Sequence, residues 1–381
     1  MEKKIQSIQG LRFVAFLLVF LDHAGSYVFT MGGECGVSLF IMLSGFLLEY
    51  RHHKESKKKS LSMNVKFTWN KIKRLYPLHI FTMLLFVPFL FLGDVKESIL
   101  LIITKVAINI FLLQTWLPLP QLAINSVSWY LCVACFFWFS FYFFHQIIRE
   151  KNKKSILRYI FLCLIIQVAL AYFFLCLIIQ VALAYFFSKR DVYYYKNIMI
   201  YPYWIIYYHP LSRILDFIMG LCLGALYANR NKTVIQLETS RKIVLFTIII
   251  FIIDYIMAFV FHMVFSGNSF LQNISGVAVF SIGNMLLLYV VSCENNALAS
   301  FFNKTIFVYL GNLSPYMYLL HFLVFEYAGR IIWRYLGESA YVKYGFAVKV
   351  TVGFAVTLML SHLYSIIVKY SSGVRKDRLI K

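Results

Sequence analysis

Charge is scarce in this chain. Only 14% of its 381 residues are charged, and just 16 are Asp or Glu. No stretch is polar for long enough to fold as a separate water-exposed domain. With 61% hydrophobic residues and a mean hydropathy of +0.73, a soluble fold could not hide its apolar surface. That leaves an all-α, polytopic membrane helix bundle, read as a single domain over residues 1–381. A disulfide framework is also missing. Of the seven cysteines, Cys132 and Cys135 form a CxxC, but inside the apolar run WYLCVACFFWF. At helical spacing in lipid they read as small buried residues, and no metal is expected. The first apolar run has few basic residues before it and no small-residue cleavage site near its end, so it reads as a retained helix. Long inverted repeats, a frequent mark of transporters, are not visible either.

Basic residues outnumber acids, 37 to 16, for a net charge of +21. They sit in short loops: MEKK, 51–74, REKNKK (149–154), 230–242 and the tail RKDRLIK. Such loops mark the cytoplasmic side and meet anionic headgroups, and nothing calls for a nucleic-acid partner. Both termini are therefore expected in the cytoplasm of what reads as a bacterial plasma membrane. Aromatic residues make up 19% of the chain, which suits interface belts. Eleven apolar runs are visible, near 10–29, 35–50, 75–92, 98–117, 127–148, 156–187, 211–228, 243–265, 274–293, 305–328 and 344–370. Keeping REKNKK inside requires an even number between it and the N-terminal half. The run 98–117 is the weakest, because it carries Lys105, Asn109 and Gln114. It is expected to be interfacial or re-entrant, leaving about ten crossings, with the first turn outside near Gly32 and Gly33.

The 156–187 run holds FLCLIIQVALAYF twice, at 161–173 and again at 174–186. Cys163 and Gln167 of the first copy recur as Cys176 and Gln180. Two identical 13-mers in tandem indicate a recent duplication. The segment is expected to be peripheral, since a catalytic core would tolerate such an insertion poorly.

Several charged residues lie inside apolar runs. Residues 8–29 contain Arg12, Asp22 and His23. Eleven residues separate Arg12 from His23, so both share a helix face, about 16 Å apart along the axis. Ionisable groups in a span usually face a bundle interior or a wet cavity. The pair suits gripping an anion at one end and moving a proton near mid-membrane. Asp22 lies about 100° round the helix, so no His–Asp dyad is assumed. GGECGVSLFIMLSGFLLEYR (32–51) places glycines for close helix packing, with Ser44 among them. WNKIKRLYPLHI (69–80) sets Lys71 and Arg74 one turn apart, either as a topology anchor or as a phosphate clamp. Further on come Trp129 in NSVSWYL, Arg213 and Asp216 at i, i+3 in HPLSRILDF, and Ser314, Tyr318 and His321 in LGNLSPYMYLLH.

In this order and spacing, these stretches resemble the acyltransferase 3 family of integral membrane acyltransferases. IQGLRFVAFLLVFLDH resembles the family's first helix with Arg or Lys and His eleven apart. KIKRLYP resembles its RxxR entry, with Lys71 in place of the first Arg. SWYL, HPLSRILDFIMGLCLG and LGNLSPYMYLLH resemble its later motifs, while Ser38 stands where many members carry an acid. The resemblance implies transfer of an acyl group, commonly acetyl, from cytoplasmic acyl-CoA as co-substrate to a hydroxyl of a sugar or glycolipid. No tightly bound cofactor is expected. His23 would be the general base. Arg12 would serve both catalysis and acyl-CoA binding, the latter with Lys71 and Arg74. Asp22, Ser44, Trp129, Arg213, Asp216, Ser314, Tyr318 and His321 would shape the site. Trp129 and the Tyr-rich loop 193–208 are candidates for stacking on sugar rings or for an interface belt. The competing readings are a transporter or flippase for a glycolipid or small anion, and a non-catalytic membrane scaffold.

Overall fold

The computed structural model describes residues 4–26, 28–55, 61–91, 98–117, 123–173, 204–230, 240–264 and 278–378. All regular structure among them is helical. The helices are α1 (Ser7–Ala24), α2 (Gly32–His52), α3 (Leu61–Ile72), α4 (Tyr76–Phe91), α5 (Ile99–Ile110), α6 (Trp129–Ile148) and α7 (Lys153–Phe173). They continue with α8 (Pro210–Ala228), α9 (Arg241–Val264), α10 (Phe280–Ser292), α11 (Ala297–Phe302), α12 (Thr305–Val348) and α13 (Phe354–Arg378).

The core is a stack in which α2 lies between α1 and α8, with α12 on the other side of α1. Small residues make this possible. Gly36 abuts the Ala15 carbonyl of α1, and Gly45 abuts the Phe217 carbonyl of α8. A side chain at either position would strike backbone, so glycine sets the helix separation. The first helix ends earlier than its apolar run suggests. Gly25 adopts φ +93°, and its N–H bonds to the Asp22 carbonyl at 2.9 Å. This left-handed cap stops α1 at Ala24. His23 is thus in the last turn, close to the helix end rather than near mid-helix. Gly32 already opens α2.

Among the described residues, six helical stretches are long and apolar enough to cross a membrane, or seven if the bent pair Leu61–Ile72 and Tyr76–Leu90, 58° apart, is one crossing. Ten were expected from the apolar runs. α10 has only 13 residues, and the run 156–187 continues outside the described residues. Thr305–Tyr370 counts as one stretch of 66 residues, yet it doubles back. Gly337 interrupts it at φ 82°. Tyr309 then bonds His362 of α13 at 2.8 Å, and Tyr316 packs on Tyr364 at 5.0 Å.

α5 has 12 residues, about 18 Å of helix, too short to cross a hydrocarbon core of about 30 Å. Lys105, Asn109 and Gln114 are buried against protein. The Asn109 side chain accepts from the Ile124 N–H at 3.3 Å, and the Gln114 amide donates to the Ser128 hydroxyl at 3.3 Å. The polarity that weakened this run as a span is what docks it.

The first 13-mer lies in α7, at the rim of the bundle, with Phe161 and Leu162 exposed. It is not merely peripheral. Gln167 is buried, donates to Asp216 Oδ1 at 2.9 Å and accepts from the Ser281 hydroxyl at 3.0 Å. The second copy, with Cys176 and Gln180, and the Tyr-rich residues 193–203 lie outside the described residues.

Candidate active site

Arg12, Lys71 and Arg74 come together. All three line one open pocket of about 1250 Å³, joined there by Lys4 and Lys369. Five cations face this space, and none of its lining residues is a carboxylate. The break between α3 and α4 turns Arg74 inward. Its Nε donates to the Tyr316 hydroxyl at 2.6 Å, and its main-chain carbonyl accepts from Tyr364 at 3.2 Å. The rest of its guanidinium has no protein partner among the described residues. Arg12 Nη1 donates to Gln9 Oε1 at 3.3 Å. Lys71 sits over the Phe67 ring, 5.0 Å from its centroid. Like charges gathered without counter-charge repel, and an anion relieves that repulsion most strongly where water is partly excluded.

Arg12, Leu75, Trp138 and Pro315 also line a second, adjoining pocket of about 670 Å³. Its walls are mostly apolar and aromatic, and include Ser44, Tyr130, Tyr318 and Leu319. Tyr130 and Tyr318 pack at 5.5 Å between centroids. The Tyr318 hydroxyl is buried and unpartnered. Such a group is costly to leave unmet, so it is available to a polar group entering this pocket.

Beyond Tyr318 stands a histidine pair. His23 Nδ1 lies 2.8 Å from His321 Nε2, and the two rings are nearly parallel, 4° apart. His321 is fully buried among Phe16, Phe20 and Phe325. Its Nδ1 is 2.7 Å from the Tyr318 carbonyl and 3.2 Å from the Met317 carbonyl. Carbonyls only accept, so His321 Nδ1 must carry a proton. In the neutral ring Nε2 is then an acceptor. His23 Nδ1 must therefore be the donor, which leaves His23 Nε2 with a free lone pair. It has no protein partner among the described residues, and the residue is only partly buried. A chain of two hydrogen bonds thus presents a neutral imidazole base at the end of α1.

Comparison with known proteins gives a matching assignment. A family model described as "Acyltransferase domain" (Acyl_transf_3) matches residues 5–366. The chain belongs to the acyltransferase 3 family. A curated relative, "Acyltransferase MdmB" from Streptomyces mycarofaciens, is 26% identical over 171 residues. That match covers 39% of this chain and 41% of the relative. No solved structure matches.

The remaining expected site residues of this family member separate into two groups. Asp22 faces away from His23 and accepts the Gly33 N–H at 3.1 Å, fixing the start of α2. Arg213 and Asp216 form a fully buried pair, Nη2 to Oδ2 3.0 Å. The Arg213 guanidinium also lies 5.3 Å from the Tyr207 ring centroid. Trp129 is buried against Tyr207 and Tyr208, at 5.2 and 4.9 Å, so its ring is already occupied by tyrosines. Ser314 shares a face with His321, but its hydroxyl donates to the Gly311 carbonyl at 2.9 Å. Asp22 ties α1 to the start of α2, Ser314 bonds within its own helix, and Arg213, Asp216 and Trp129 form a buried polar and aromatic block. Sequence reasoning missed Lys4, Lys369, Tyr130 and Tyr316. Lys4 was visible in MEKK but read only as a topology signal. No local pattern points to Tyr316 as the partner of Arg74, because the two are 242 residues apart.

Proposed function

We propose that this protein transfers an acyl group, acetyl in the simplest case, from cytoplasmic acyl-CoA to a hydroxyl of a polysaccharide or glycolipid. The observation that supports this best is continuity. A pocket with five cations and no carboxylate adjoins a pocket ending at Tyr318, and the Tyr318 carbonyl orients the His321–His23 pair. The cations suit the phosphates of CoA, with Arg74 able to grip one in a forked geometry and Lys71 as a point charge. The narrower pocket suits the pantetheine arm, an extended chain with a few polar groups.

In the reaction, His23 Nε2 accepts the proton of the acceptor hydroxyl as its oxygen attacks the thioester carbonyl. The tetrahedral adduct collapses with cleavage of the C–S bond. The CoA sulfur leaves and takes the proton back from His23. The acceptor becomes an ester, and His23 returns to the neutral form. His321 positions His23 and spreads the charge of the transient imidazolium.

Binding is tested on the purified protein with CoA by calorimetry. Arg74→Ala should weaken CoA binding by about tenfold, the loss expected for one charge-assisted contact of about 1.5–3 kcal/mol partly exposed to water. Unchanged affinity would remove Arg74 from donor binding. The acceptor is tested by comparing surface glycans of a deletion strain and its parent by mass spectrometry. A missing acyl mass increment on a glycan supports this function. Identical glycans together with lost uptake of an anionic solute would favour the transporter reading.

A further inference from the structure

A third pocket lies away from the histidines, between α7, α8, α9 and α10. It is open and holds about 1660 Å³ of empty space. Each helix gives it an apolar wall: Ile156 from α7, Leu223 and Leu226 from α8, Ile243 from α9, and Met285 from α10. Its rim carries Lys151, Lys153 and Arg230. These cations come from two basic loops that are about 80 residues apart in sequence. Lys151 and Lys153 are exposed, and neither has an acidic partner among the described residues. Arg230 is held flat on the Tyr227 ring, 3.4 Å from its centroid, and Nη1 donates to the Tyr227 carbonyl at 2.6 Å. One charged loop would be explained by topology alone. Two charged loops converging on the mouth of one apolar groove require more.

We infer that this groove binds an anionic glycerophospholipid, its phosphate on Lys151, Lys153 and Arg230 and its acyl chains along the α7–α10 walls. Three features favour that occupant over a soluble anion. The lining is largely apolar, with Ile156, Leu223, Leu226, Ile243 and Met285, a surface that a free phosphate would not use. The outer faces of α7 and α9 beside it are exposed and apolar, as at Leu157 and Ile249, so the groove opens to where lipid lies. The cations sit at one end only, as a headgroup requires. The site also has a structural consequence. α7 reaches the core through Gln167 on Asp216 of α8, so a lipid wedged between these helices holds that contact closed.

The test uses full-length protein in detergent, with lipid binding followed by native mass spectrometry and thermal unfolding. Phosphatidylglycerol should bind and raise the unfolding temperature, whereas phosphatidylcholine with the same chains should bind at least tenfold more weakly. Lys151→Gln with Lys153→Gln should weaken phosphatidylglycerol binding by about 30-fold, from about a fivefold loss per cation near a lipid surface. These residues are exposed, so the variant should fold. Ile156→Trp keeps the charges and fills the groove, and should also abolish binding. Equal affinity for the two lipids would overturn the inference, as would full binding in the double variant. Displacement of phosphatidylglycerol by millimolar inorganic phosphate would reassign the rim as a soluble-anion site.

Discussion

His23 has a free Nε2 lone pair because two main-chain carbonyls decide the tautomer of a different histidine. The Tyr318 and Met317 carbonyls hold the proton on His321 Nδ1, and His321 Nε2 then orients His23. His321 acts through His23, so its replacement should lower kcat more than it raises KM. His321→Ala should cost about 10²-fold in kcat, within the range for losing help to a general base. His321→Gln keeps an acceptor near Nε2 and should recover part of that loss. Steady-state kinetics in membranes checks both, and equal kcat in the two variants would remove the hydrogen bond from the mechanism. Arg213 and Asp216 make a different case. Arg213→Met leaves a carboxylate buried without its partner and should destabilise by about 3–5 kcal/mol. Adding Asp216→Leu should restore much of that stability in thermal unfolding. At this scale the sequence was partly legible. Cations in apolar surroundings were conspicuous, so Arg12, Lys71 and Arg74 could be named. The pairing of His23 with His321 spans 298 residues, and no local periodicity encodes a contact between distant helices.

Helices here are positioned by small residues and by their ends. α2 and α8 touch backbone to backbone, since Gly45 meets Phe217 and Gly220 meets Met42. Gly45→Val should force these helices apart and lower stability by about 1–3 kcal/mol, read as a lower unfolding temperature in detergent. A wild-type temperature would show that the helices can separate freely. Gln167→Leu should loosen α7 by removing the amide that donates to Asp216 Oδ1, at about 1–3 kcal/mol. Helix existence was readable from apolar runs and glycine content. Helix length was not. The first run continues to residue 29 in hydropathy, but Gly25 at φ +93° ends the helix at Ala24. The first 13-mer looked expendable because its copies are identical. Its buried Gln167 amide and the packing of Cys163, Leu164 and Leu170 tie it to the core.

For the whole molecule, composition settled the class: an apolar, helical membrane protein with 16 acidic residues against 37 basic ones. The number of crossings was harder to read, since a short helix such as α10 and a doubled-back stretch such as 305–370 break the rule of one run per span. The positive-inside pattern predicts that 149–154 is cytoplasmic. A Lys151→Cys variant should therefore resist an impermeant thiol reagent in intact cells and react after permeabilisation. Reaction in intact cells would reverse the topology and put the cationic pocket on the wrong side for acyl-CoA. The pocket's charge also gives a kinetic signature. Raising salt shortens the Debye length from about 10 Å at 0.1 M to about 3 Å at 1 M, so KM for acyl-CoA should rise with salt while KM for a neutral acceptor stays level. The most direct measurement is transfer of label from radiolabelled acetyl-CoA to membrane glycan by wild-type protein and by His23→Ala. The expected result is label on glycan with wild type and at least a 10²-fold lower rate with His23→Ala at equal protein level. Label transferred at the wild-type rate by His23→Ala would contradict a His23-based acyl transfer.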